Sequence, residues 1–160
     1  MSKAEQSLEL KFAPREAFET VLEWGVIPTF DLIIEYGDKG VVMLKRTIDP
    51  YKGVWALPGL RMMKPEGIDD TLTRVAKAEL GLDIDPQKRE FVGQYVGRFR
   101  TEKERQDLST GYVIRINPDQ ELNPNPSHFN DLKLVTSLEE VPKRTGAMYR
   151  YYLEQYFDSK

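Results

Sequence analysis

The segment from Ile68 to Gly81 constrains this chain more than any other, because it reads as an amphipathic helix with a carboxylate set into its apolar seam. Ile68, Leu72, Val75, Glu79 and Leu82 follow at steps of 4, 3, 4 and 3, which puts all five on one helical face. Gly81 closes the helix, since glycine enters the left-handed conformation without steric cost. Glu79 therefore points where a core should be. Buried unpaired, a carboxylate is destabilised by several kcal/mol or forced to protonate, so it has to meet an arginine, backbone amides or a metal ion. The plainer alternative is a frayed helix end, with Glu79 in solvent or paired with Arg46 or Arg61.

The rest of the chain supplies sheet and covering helices. Pro14 followed by Ala17, Phe18, Val21 and Leu22 predicts an N-terminal helix at about 14–24, stopped at Gly25. Phe30 to Tyr36 and Val41 to Lys45, joined by Gly37-Asp38-Lys39-Gly40, read as a hairpin whose first strand is apolar on both faces. Thr47 to Trp55, with Pro50 and Gly53, reads as a loop. Phe91 to Arg100 and Gly111 to Ile116 read as strands, with a charged loop from Thr101 to Ser109 between them. Asn117 to Pro126 carries three prolines and reads as irregular, and Leu132 to Val135 as a short strand. Tyr149, Tyr152, Leu153, Tyr156 and Phe157 form a helical stripe on a C-terminal helix at about 143–158. The expected fold class is α/β, an α/β/α sandwich with a mixed β-sheet, as one domain over residues 1–160.

Composition narrows the chemistry. At 160 residues and 40% hydrophobic, the chain can bury a sizeable core. A net charge of −3 gives no electrostatic case for nucleic acid. The absence of cysteine excludes thiol catalysis, disulfides and thiolate zinc sites, and the single histidine, His128, excludes a histidine cluster. No run of about 18 apolar residues is present, so no membrane span is expected and the protein is read as soluble and cytoplasmic.

Leu57-Pro58-Gly59-Leu60, Glu66, Arg74 and Glu79-Leu80-Gly81-Leu82 resemble a Nudix box. That box reads Gly, five residues, Glu, seven residues, then Arg-Glu-apolar-x-Glu-Glu-x-Gly-apolar. Aligned on Glu66, Leu60 takes the place of the glycine, and the ligand-type glutamates fall on Val75, Ala78 and Glu79. Only Glu79 keeps a carboxylate. The run Arg74-Val75-Ala76-Lys77-Ala78-Glu79-Leu80-Gly81-Leu82 is similar to the GDP-mannose mannosyl hydrolases within that superfamily. So are Asp31, Lys45-Arg46-Thr47, Gly53-x-Trp55-x-x-Pro58-Gly59, Arg61, Gly93-Gln94-Tyr95, Thr110-x-Tyr112-Val113 and the proline-rich loop leading to His128.

The resemblance implies a hydrolase of nucleoside diphosphate derivatives, most specifically of a nucleotide sugar attacked at its anomeric carbon. It implies Mg2+ or Mn2+ on Glu79, the Gly59 carbonyl and the position of Ser127. Arg46, Arg61 and Tyr112 are implied to hold phosphate or sugar oxygens, Asp31 to hold sugar hydroxyls and His128 to be the general base. It departs at Ser127, where the subfamily has glutamine, and near Thr101, where it has a second histidine. Glu66 and Arg74 are implied to be structural. A homodimer is the assembly the group's habit suggests. Two other readings stay open: a diphosphatase attacking phosphorus, drawing on Glu102, Glu104 or Asp107, and a noncatalytic nucleotide-binding or interaction module.

Overall fold

The computed structural model of the protein describes residues 8–160. Its elements run α1 (Arg15–Trp24), β1 (Val26–Tyr36), β2 (Val41–Arg46), β3 (Trp55–Ala56), β4 (Gly59–Arg61), α2 (Ile68–Leu80), β5 (Glu90–Arg98), β6 (Gln106–Ile116), β7 (Phe129–Val135) and α3 (Ala147–Asp158). The seven strands form one mixed sheet of order β3-β2-β1-β6-β5, with β4 also paired to β1 and β7 to β2. Helix α2 covers one face and α3 the other, which is the α/β/α arrangement read from the sequence.

Strand β1 organises the sheet because both of its faces are apolar. Phe30, Leu32 and Ile34 pack with Leu72, Val75 and Leu80 of α2. Ile33 packs on the opposite side with Tyr149, Tyr152 and Leu153 of α3. Along one edge β1 runs parallel to β6 for its full length, from Val26 beside Gln106 to Tyr36 beside Ile116. Along the other edge it meets two partners. The expected hairpin with β2 pairs only at Glu35 and Val41, and Thr29 to Asp31 pair instead with Gly59 to Arg61 of β4. Between them the amide of Leu32 donates to the carbonyl of Pro58 at 2.8 Å. The sheet thus opens between β2 and β4, and a cleft sits at the opening.

Three expectations need correction. Strand β6 starts at Gln106, so part of the anticipated charged loop is strand. Its inward positions there are Asp107 and Ser109, both buried, and polar inward residues erase the alternation that marks a strand. Strand β7 starts at Phe129, ahead of Leu132, and pairs with β2 over its whole length. Helix α3 begins at Ala147, because the preceding residues run as backbone partners of Trp55: its amide donates to the Arg144 carbonyl at 2.7 Å and its carbonyl accepts from Gly146 at 3.2 Å. Helix α2 has the expected bounds, with Gly81 left-handed at φ 68°. Leu60 is ordinary strand residue in β4 and is absent from the residues of positive φ, so the loop needs no glycine there.

Candidate functional site

The cleft has a volume of about 220 Å3, and its walls include Asp31, Arg46, Gly59, Arg61, Glu79 and His128. Six of the eight residues singled out in the sequence are therefore brought together. They arrive from β1, β2, β4, the end of α2 and the loop before β7.

Helix α2 ends with carbonyls that have no partner inside the helix, and the loop after Gln120 satisfies them. The amide of Asn123 donates to Leu80 O and that of Asn125 to Glu79 O, each at 2.9 Å. In the run Asn123-Pro124-Asn125-Pro126 only the asparagines own an N–H, and both are used. This clip brings His128 against the helix terminus. Its Nδ1 lies 2.8 Å from Oε1 and 3.1 Å from Oε2 of Glu79. Glu79 is 1% exposed; the seam carboxylate has found its partner, and the partner is an imidazole rather than an arginine. Burial raises the Glu79 pKa, opposed by the charge and hydrogen bond of His128 and by Arg46 and Arg74.

Asp31 lies across from Gly59 and is 4% exposed. It accepts a hydrogen bond from Ser109 Oγ at 2.5 Å, and Ser109 in turn accepts one from the hydroxyl of Tyr152 on α3 at 2.8 Å. Burial raises the Asp31 pKa to about 7, partly offset by Ser109 and Arg46. Such a carboxyl can donate or accept toward a hydroxyl near neutral pH. Gly59 has to be glycine for steric reasons: a Cβ there would stand 2.2 Å from Asp31 Oδ1 and 2.7 Å from the carbonyl oxygen of Phe30. Since the second atom is backbone, Gly59→Ala is expected to destabilise the fold by about 1–3 kcal/mol. An unchanged urea midpoint for that variant would contradict this packing.

The arginines have different duties. Arg74 donates through Nε and Nη2 to Glu66 at 2.7 and 2.9 Å and through Nη2 to the Arg61 carbonyl at 2.6 Å. It ties α2 to β4 and does not hold Glu79. Arg46 donates to the carbonyls of Pro50 at 2.7 Å and Asp49 at 3.4 Å, so it also shapes the loop that carries Tyr51 to the cleft. Arg61 has no carboxylate within ion-pair distance among the described residues. Burial and the neighbouring charges of Arg105 and Arg74 lower its pKa, which marks a place short of negative charge.

Two residues are not brought in. Tyr112 does not line the cleft; it stacks on Phe30 at 6.1 Å, meets Phe91 at 6.2 Å and belongs to the core beneath α2. The alternation of its strand put it on that face. Ser127 is exposed, its amide donating to Asn125 Oδ1 at 3.0 Å and its carbonyl accepting from Thr47 Oγ1 at 3.3 Å. Its side chain does not line the cleft. Conversely, Thr29, Tyr51, Phe99, Arg105 and Tyr149 line the cleft without having been placed there from the sequence, and of the acids offered for the phosphorus-attack reading Asp107 lines it too. Asp107, expected in a solvated loop, is buried and accepts from Arg105 Nε at 2.7 Å. Its sign in the sequence was the two-residue step from Asp107 to Ser109 to Gly111, which continues the β6 alternation. Glu102 pairs with Arg105 at 3.3 Å, while Glu104 stays in solvent.

No group of three or more histidine or acidic side chains able to cage an ion occurs among the described residues. At the end of the cleft where the α2 terminus lies, the oxygen donors are the Glu79 carboxylate and backbone oxygen, the imidazole of His128 being engaged on Glu79. This suits magnesium, which binds through one or two carboxylates and otherwise through water and substrate phosphates. Among the described residues no helix is long and apolar enough to cross a membrane.

Comparison with known proteins agrees with this geometry. The family model of the NUDIX domain matches residues 27–156. A crystal structure of a MutT NUDIX hydrolase from Burkholderia pseudomallei superposes with a TM-score of 0.70 at 20% identity, covering 81% of this chain and 96% of that one. The NUDIX domain of Shewanella oneidensis NrtR, solved with ADP ribose, gives 0.66 at 18% identity over 92% and 93% of the two chains. The low-salt glycan biosynthesis protein Agl8 of Haloferax volcanii is 33% identical over 76 residues, 48% of each chain, so the match spans about half the length of that relative. With residues 27–156 matched by the family model, this chain belongs to the Nudix family.

Proposed function

We propose that the protein is a divalent-metal-dependent hydrolase of a nucleoside diphosphate derivative, specifically of a nucleotide sugar, with water attacking the anomeric carbon. The observation that carries this reading is the contact of His128 with the buried Glu79, inside a cleft that also holds Asp31, Gly59 and Arg61. Glu79 accepts the Nδ1 proton of His128 and so fixes the tautomer in which Nε2 is free to take a proton from water. Asp31, steadied by Ser109 and Tyr152, takes a sugar hydroxyl. Arg61 and Arg46 hold the diphosphate. Glu79 and the Gly59 carbonyl would hold Mg2+ or Mn2+, since a carboxylate has lone pairs for both an imidazole and an ion; the ion supplies Lewis-acid stabilisation of the departing diphosphate.

Attack on phosphorus is a second reading, favoured by the buried Asp107 in the same cleft. Turnover of a panel of nucleotide sugars and dinucleoside diphosphates in isotope-labelled water, with magnesium or manganese, separates the two. The label is expected in the released sugar. Label in the phosphate product would replace the first reading with the second, and no turnover of any compound would leave a binding module. The domain is proposed to act as a single unit over residues 1–160, in the cytoplasm, and a homodimer remains the assembly to test by sedimentation.

A further inference from the structure

Of the guanidinium groups in and beside the cleft, Arg61 makes the fewest hydrogen bonds to the described residues. Arg74 is bound to Glu66, Arg105 to Asp107 and Glu102, and Arg46 to two loop carbonyls. The side chain of Arg61 makes one hydrogen bond among the described residues, from Nε to Met63 Sδ at 3.3 Å. Nη1 and Nη2 have no protein acceptor there. What holds the group is an aromatic face, because its Cζ lies 3.9 Å from the centroid of the Phe18 ring.

Phe18 belongs to α1, which precedes the matched family region at residues 27–156. The helix is fixed on both sides of this contact. Leu22, four residues on and on the same face, is buried. Upstream, the amide of Lys11 donates to the carbonyl of Lys64 at 2.9 Å, across the segment that follows Arg61. Val21 and Trp24 are exposed, so the face that docks is the one bearing Phe18 and Leu22.

A ring and a carboxylate hold an arginine in different ways. A carboxylate would occupy the donors of the guanidinium and cancel its charge. A ring attracts the cation through its π-face and leaves the N–H groups, which lie in the guanidinium plane, free for another acceptor. Resting on the general reading of this cleft as a diphosphate site, we infer that Phe18 is a positioning residue: α1 presents its ring as a platform that pre-orients Arg61, with charge and terminal donors intact, for the diphosphate oxygens of the ligand. The amino-terminal helix is thereby part of the binding apparatus and more than a cover for the sheet.

Binding of ADP in magnesium buffer, measured by titration calorimetry on the full chain, tests this. Phe18→Leu, which keeps apolar bulk and loses the ring, is expected to weaken ADP binding about fivefold. Phe18→Met, a second ringless variant, should give the same loss. Phe18→Tyr restores the ring and should bring binding back to within about twofold of the parent. The deciding measurement is the double substitution: once Arg61 is alanine, Phe18→Leu should have almost no further effect, since the ring has lost the group it orients. An equal loss with and without Arg61 would mean that the ring serves only to dock α1, and would overturn the inference while leaving the diphosphate site standing. Failure of the parent protein to bind ADP would overturn both.

Discussion

Under the proposed reaction, His128→Gln is expected to lower turnover of a nucleotide sugar by about 100- to 10,000-fold, the range that a positioned general base contributes, while ligand binding changes little. Glutamine keeps a polar side chain of similar reach, yet its amide has no basic nitrogen to take a proton from water. The expectation depends on how the imidazole is held. With Nδ1 against Glu79 at 2.8 Å, the ring is oriented by a carboxylate that is itself fixed in the seam of α2, and Nε2 is the atom left for chemistry. Single-turnover kinetics beside a binding titration make the measurement. A loss of affinity as large as the loss of rate would assign His128 to holding the ligand, and undiminished turnover would remove it from the reaction.

The second large effect concerns stability. Glu66 accepts from the Met63 amide at 2.8 Å, from Thr71 Oγ1 at 3.3 Å and from Arg74 at 2.7 and 2.9 Å. Its side chain is 2% exposed. Removing one partner of a buried pair leaves an uncompensated charge, so Arg74→Met is expected to destabilise the fold by about 3–5 kcal/mol. For a domain of this size that lowers the midpoint of thermal unfolding by roughly 6–20 °C. The pH dependence gives a sharper check. Burial opposes ionisation of Glu66, but the hydrogen bonds and charge of Arg74, together with Met63 and Thr71, hold its carboxyl below the usual value.

The folded chain therefore binds fewer protons at this site than the unfolded chain in the acid range. The contribution of Glu66 is complete above the ordinary carboxylate pKa and is lost as pH falls through the lowered folded value. In Arg74→Met burial remains and the arginine is gone, which pushes the carboxyl up instead. That variant should regain part of its deficit as pH falls, a change of sign in the slope of stability against pH. Urea midpoints across the acid range report it, and parallel curves for the two proteins would show that Arg74 does not set the ionisation of Glu66.

The parts of the fold written as periodic apolar residues were readable in the sequence, and the parts written as polar residues turned inward were not. Helix α2 could be bounded because Leu72, Val75 and Leu82 keep helical spacing and Gly81 stops it. The first half of β6 could not, because its inward residues are Asp107 and Ser109, the composition of a loop. The same holds for the cleft. Glu79 stood out as a charge in an apolar seam, and the histidine loop could be placed in the cleft by resemblance. What resists reading along the chain is the pairing across it: that His128 would meet Glu79, that Ser109 would hold Asp31, that Arg46 would bind its own loop, or that Tyr112 would fall on the far face of the sheet. The places of Ser109 and Tyr112 follow from strand register, where a shift of one residue moves a side chain to the other layer, whereas those of His128 and Arg46 follow from how their loops fold back on α2 and on β2.

The parallel ladder between β1 and β6 also bears on how the molecule assembles. Asp31 and the serine that supports it are 78 positions apart, and β2, β3, β4, α2 and β5 lie between their strands in the chain. Closing so distant a pair carries the loop entropy of a non-local contact before the contact gives any return, and such steps come late and slowly. The Asp31–Ser109 contact thus depends on the same β1–β6 pairing that joins the two halves of the sheet. A chain still on its way to the native state has an isolated aspartate in place of a supported one, so competence at the cleft arrives with the finished fold rather than ahead of it.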